Sequence, residues 1–116
     1  MRIDKDLVAA SATPLVLGIL ADGESYGYAI LKRVNELSGG RMTWTDGMLY
    51  PLLHRLERLG HVQASWGESE TGRRRKVYAL TATGREAFAD RRQQWAVVAE
   101  ALDKVWRLAP GQVEWA

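Results

Sequence analysis

The 116-residue sequence predicts a mainly α-helical fold with one small β-hairpin. Three observations lead there. Apolar residues recur at helical spacing in four stretches, one short segment alternates apolar and polar, and Gly, Pro or hydroxyl residues mark the joints between them. The length suits a single domain around one core. A composition of 47% hydrophobic and 26% charged residues is that of an ordinary globular chain.

From Leu7 to Leu20 the chain is apolar, broken at Thr13-Pro14. Thr13 before Pro14 has the form of an N-cap and a first-turn proline, which predicts a helix over residues 14–21. Residues 5–12 either form a preceding helical turn or continue the same helix through a kink. Asp22-Gly23-Glu24 is a turn. Ser25 is positioned to cap a second helix from Tyr26 to Leu37, with Ile30, Leu31, Val34 and Leu37 at helical spacing, and Gly39-Gly40 ends it. A third helix over 46–59, capped by Thr45, aligns Leu49, Leu52, Leu53, Leu56 and Leu59 in one stripe until Gly60. Val62, Ala64 and Trp66 alternate with polar residues and predict a strand over 62–66. Residues 67–75, glycine-rich, polar and basic, make the hairpin loop. The return strand covers 76–80, with Tyr78 and Leu80 toward the core. A long helix follows, capped by Thr81 or by the Thr83–Glu86 capping box, and runs to Leu108, where Pro110-Gly111 terminate it.

Three short helices, a hairpin and one long helix form the layout of a winged helix-turn-helix with a long C-terminal dimerisation helix. The implied division is a DNA-binding domain over 1–81 (wing about 62–80), a dimerisation helix over 82–108 and a tail over 109–116. In such a layout the third helix enters a major groove and the hairpin touches the neighbouring backbone.

The charge pattern agrees. The net charge of +2 is unevenly spread: residues 32–76 hold nine basic and five acidic side chains, whereas residues 1–31 hold two and four, and residues 77–116 five of each. The excess peaks at Arg73-Arg74-Arg75-Lys76. Such a run is by itself a solvated loop as readily as a binding surface. Its position at the wing favours phosphate contact.

Other functions have little support. The absence of cysteine excludes disulfides, thiol nucleophiles and thiolate metal sites. Two histidines, His54 and His61, supply no metal site, and no cofactor is expected. There is no glycine-flanked nucleophile or phosphate loop, so no enzyme is predicted. The longest apolar run is too short to span a bilayer, and Asp4 and Asp6 beside Arg2 and Lys5 do not form a signal peptide. The expected setting is cytoplasmic, with no membrane partner.

Opposite its leucine stripe, the third helix carries Gly47, Tyr50, Pro51, His54 and Arg58. Its N-terminus, with Thr43, Thr45 and Gly47, can bring backbone amides near a phosphate. Gly47 and Pro51 keep this face flat. Tyr50 and His54 can donate to phosphates or base edges.

Ser25-Tyr26-Gly27-Tyr28, the block Gly47-Met48-Leu49-Tyr50-Pro51-Leu52-Leu53-His54-Arg55-Leu56-Glu57 and the block from Gly72 through Arg73-Arg74-Arg75-Lys76 to Thr81 resemble the PadR family of bacterial transcriptional regulators. The resemblance spans about residues 7–107, and the single last helix is similar to the short subfamily. It implies a homodimeric repressor of a pseudo-palindromic double-stranded operator, released by small aromatic or lipophilic compounds. The helix face, the helix N-terminus, the basic run and the matching blocks together give Tyr28, Thr45, Gly47, Tyr50, Pro51, His54, Arg73, Arg74, Arg75 and Lys76 as the expected DNA contacts.

Phe88, Trp95 and Leu102 stand seven apart on the last helix, with Val98, Val105 and Trp106 on the same side; this spacing predicts packing along a second copy. Trp95 reads as an aromatic packed at that interface. It also matches the tryptophan that multidrug-binding PadR members use to sandwich a flat ligand at the dimer centre. That likeness implies a channel lined by Leu7, Pro14, Gly18, Trp95, Ala99 and Asp103, for a planar aromatic molecule. Ala99 departs from the acidic residue of those members, and Asp103 keeps an acid one turn on. The rival reading is a winged-helix adaptor that works through protein contacts; its four adjacent basic charges argue against it.

Overall fold

The computed structural model describes residues 1–108. The element order is α1 (Lys5–Ala21), β1 (Ser25–Tyr26), α2 (Gly27–Leu37), α3 (Asp46–Arg58), β2 (Val62–Glu68), β3 (Arg74–Leu80) and α4 (Ala82–Leu108). The tail over 109–116, with the Pro110-Gly111 stop, lies outside the described residues. The fold is mainly helical with a three-stranded antiparallel sheet ordered β1-β3-β2. Val16, Leu17 and Leu20 of α1, Ile30 and Val34 of α2, the leucines of α3, Val62 and Tyr78 form the core. Trp44, from the loop before α3, is buried among them.

Several local expectations change. Helix α1 runs unbroken through Pro14, so Thr13 caps nothing. Proline removes the bond to the Ala10 carbonyl. Both halves nevertheless pack on the same core, Val8 and Ala12 before the proline and Val16, Leu17 and Leu20 after it. Ser25 is not a helix cap. It pairs with Tyr78 while Tyr26 pairs with Val77, and this two-residue strand delays α2 to Gly27. Helix α2 then closes as expected in a left-handed turn at Gly39 and Gly40, whose N–H groups return to Glu36 and Asn35.

Leu59 is no part of the apolar stripe. It caps α3 and is 58% exposed, because the chain turns at Gly60 (φ 78°). The hairpin is longer than its alternation suggested, with Val62 opposite Leu80 and Glu68 opposite Arg74. Trp66 continues the inward-facing register past the edge of the core and is 63% exposed. At α4, Thr81 is the cap, its Oγ1 accepting from the Gly84 N–H at 3.0 Å. The Thr83 hydroxyl turns to the Gly60 carbonyl at 2.8 Å instead of completing a box with Glu86.

Helix α4 packs on α1 and β3, and its buried and half-buried residues all lie between Gly84 and Trp95. Phe88, read from the sequence as part of a dimer stripe, belongs to the intrachain core boundary, where its ring lies against Gly18. Every residue from Ala96 to Leu108 is exposed.

Candidate nucleic-acid interface

The expected DNA contacts come from three separated segments. The fold brings five of them to one cleft of about 420 Å³ between the start of α2, helix α3 and the wing. Tyr28, Tyr50, Arg73, Arg75 and Lys76 line it, together with Tyr26, Gly27, Ser69 and Thr71. Pairing of β1 with β3 creates this meeting, since it draws the α2 N-terminus alongside the basic strand. Tyr26 is the N-cap of α2 and offers no side-chain cap, so the first N–H groups of that helix are free of side-chain acceptors.

Thr45, at the N-cap of α3, and Gly47, Pro51 and His54 on the helix are exposed. Thr45 stands at the N-cap without a side-chain bond to the helix. The His54 ring lies 6.4 Å from that of Tyr50. Tyr50 itself is a correction to the flat exposed face: it is half-buried and packs against the core. A Cβ at buried Gly27 would overlap the Tyr50 hydroxyl, so glycine is what lets α2 and α3 approach there.

The basic run is not a loop tip. Arg73 alone lies in the turn, where its N–H donates to Ser69 Oγ at 3.2 Å; Arg74, Arg75 and Lys76 are strand residues. The Arg75 guanidinium lies 3.5 Å from the Tyr26 ring centroid, and its Nε is buried without a hydrogen-bond partner. Arg74 stacks 4.7 Å from the Trp66 centroid. Lys76 Nζ is 5.9 Å from that of Tyr78. Sequence reasoning missed Tyr26, Trp66, Ser69 and Thr71. The alternation of Trp66 with the core strand was legible, but its pairing with Arg74 needed the hairpin register.

Residues 16–90 match the Transcriptional regulator PadR-like family. The chain belongs to this PadR-like family. Membership makes it a DNA-binding regulator of transcription and not an enzyme. It is 30% identical over 88 residues to the Transcriptional regulator YqjI of Escherichia coli; the match covers 76% of this chain but 41% of YqjI. A transcriptional regulator from Clostridium thermocellum superimposes with a TM-score of 0.77 at 25% identity, covering 86% of this chain and 97% of that one. A PadR family regulator from Eggerthella lenta does so with a TM-score of 0.74 at 28% identity, covering 86% and 85%.

The residues that the PadR likeness assigned to an effector channel are less closely gathered. Pro14 and Gly18 border a wide groove of about 720 Å³ between α1 and α2, away from Trp95. The space Gly18 leaves is taken up by Phe88, two turns before Trp95. Trp95 is half-buried, Ala99 and Leu7 are exposed, and Asp103 pairs with Arg107 at 3.0 Å. Among the described residues no three His, Asp or Glu side chains group as a metal site, and no helix is long and apolar enough to cross a membrane.

Proposed function

We propose that this chain binds a pseudo-palindromic operator as a homodimer, acting in the cytoplasm as a repressor. Residues 1–81 bind DNA, and residues 82–108 join the two copies. Helix α3 enters the major groove with Thr45, Gly47, Pro51 and His54 facing the bases, while the cleft between α2 and the wing receives backbone phosphates. One observation carries this reading: basic and hydroxyl side chains from three distant segments border a single cleft beside an exposed helix face. An adaptor that binds only proteins has no use for such a cationic cleft.

Release by a flat aromatic compound held at Trp95 completes the reading. Its support is a half-buried indole where α4 leaves the body, followed at one-turn intervals by Ala99 and Asp103. The test of DNA reading is His54→Ala, assayed on operator and on random duplex. Loss of about 1–3 kcal/mol on the operator alone is expected of a base-edge contact. Equal loss on both duplexes would reduce His54 to a backbone contact.

A further inference from the structure

We propose that Thr81 and Thr83 are positioning residues for DNA recognition: they fasten the end of α3 to the start of α4 and thereby set the angle at which a dimer presents its two recognition helices. This rests on the reading that α3 contacts DNA and α4 joins two copies.

Helix α3 ends in a complete Schellman turn, the Gly60 N–H donating to Glu57 at 3.0 Å and the His61 N–H to Leu56 at 2.9 Å. The left-handed backbone at Gly60 aims its carbonyl away from α3 and toward the far end of the wing hairpin. There the Thr81 hydroxyl donates to it at 2.5 Å and the Thr83 hydroxyl at 2.8 Å. The same Thr81 oxygen accepts from the Gly84 N–H and so caps α4. One hydroxyl thus serves the ends of two helices. The backbone adds a further tie, the Thr81 N–H donating to the His61 carbonyl at 3.1 Å. Gly84 is buried so closely against that carbonyl that a Cβ would overlap it.

Thr83 separates this role from ordinary capping. It lies inside the first turn of α4, where the cap is already supplied by Thr81, and its hydroxyl reaches back to α3's closing turn. The leverage is large. Only Thr81 separates β3 from α4, and a helix of 27 residues is about 40 Å long. A tilt of about 10° at its foot therefore moves its far end by about 7 Å. Half-sites on DNA are read at a fixed separation of about one helical turn. The junction consequently bears on which spacing the dimer accepts, not on which bases each half reads.

The experiment measures binding of the full chain to duplexes carrying two selected half-sites at spacings varied one base pair at a time. Wild type is expected to favour one spacing. In Thr83→Val and Thr83→Ala, preference for that spacing over its neighbours should fall at least about fivefold, while the half-site sequence stays the same; Thr83→Ser should restore the preference. A parallel loss at every spacing, whether from missing contacts or from less folded protein, overturns the proposal, as does an unchanged preference. A wild type without any preferred spacing contradicts the dimer reading itself, and the inference with it.

Discussion

Arg73, Arg74, Arg75 and Lys76 are adjacent in sequence yet occupy four different surroundings. Arg73 is exposed in the turn, Arg74 leans on Trp66, Arg75 sits over the Tyr26 ring with its Nε buried, and Lys76 lies near Tyr78. A charge held on an aromatic face keeps its guanidinium oriented, whereas a free one must be ordered on binding. Arg73→Ala should therefore leave the thermal midpoint unchanged and reduce the slope of log affinity against log salt by about 1, as expected for one lost phosphate contact. Arg75→Ala should lower the thermal midpoint as well, because it uncovers Tyr26 at the β1–α2 junction; equal midpoints for both variants would contradict this division. Tyr78 gives a prediction for alkaline pH. Burial, and then the nearby Glu57 carboxylate, push its phenol above the ordinary tyrosine value. The neutral form is thus favoured by folding. That stability is present in full below about pH 10 and is lost as pH rises through the folded value. Tyr78→Phe should flatten the fall of the melting midpoint above pH 10; an unchanged alkaline slope would sink this assignment. The positions of these side chains along the chain were readable, but not their partners: Tyr26 and Arg75 are far apart in sequence and meet only through β1.

At the scale of elements, periodicity found all four helices and the hairpin, since each has an apolar face against a common core. What it could not resolve were elements defined by partners. Strand β1 has two residues, too few for any alternation, and exists through pairing with β3. The hairpin's outer ends carry charge in place of the apolar residues that mark a strand. Local rules also misjudged α1. Thr13-Pro14 has a cap's form, but packing on both sides of the proline outweighs the missing bond. Pro14→Ala should consequently stabilise the chain, by up to about 3 kcal/mol, measured by denaturant unfolding. A destabilised variant would mean that the proline ring packs better than the regained hydrogen bond. The candidate site divides in the same way. Exposed α3 residues could be placed from spacing alone, whereas the cleft and the true position of Tyr50 depended on how α2 lies against α3.

The described residues span 57 × 29 × 20 Å, with a Cα radius of gyration of 16.7 Å. A compact domain of this size would have about 13 Å. The excess is α4, whose second half leaves the body with Val97, Val98, Val105 and Trp106 all at least 48% exposed. So short a helical stretch is marginal in water without something to pack on. Its ion pairs, Glu100–Lys104 at 3.0 Å and Asp103–Arg107, are exposed and add little. The sequence period of seven suggested a second copy as the partner. Deleting residues 95–116 should convert a sedimenting dimer into a monomer; a truncated chain that remains dimeric would refute the assignment of α4. Trp95→Ala should preserve the dimer but abolish fluorescence quenching by a planar aromatic dye. Loss of the dimer instead, with no dye bound by wild type, would leave Trp95 as packing alone.

The DNA that the chain selects tests its dimeric operator binding most directly. Recovery of bound duplexes from a fully random pool at physiological salt should enrich a pseudo-palindrome whose half-sites are centred about 34–36 Å apart, or a multiple of that distance. The enriched duplex should bind at least about a thousandfold more tightly than random sequence. A pool that emerges without enrichment, or with an isolated half-site bound one chain at a time, would contradict the dimeric operator-binding account.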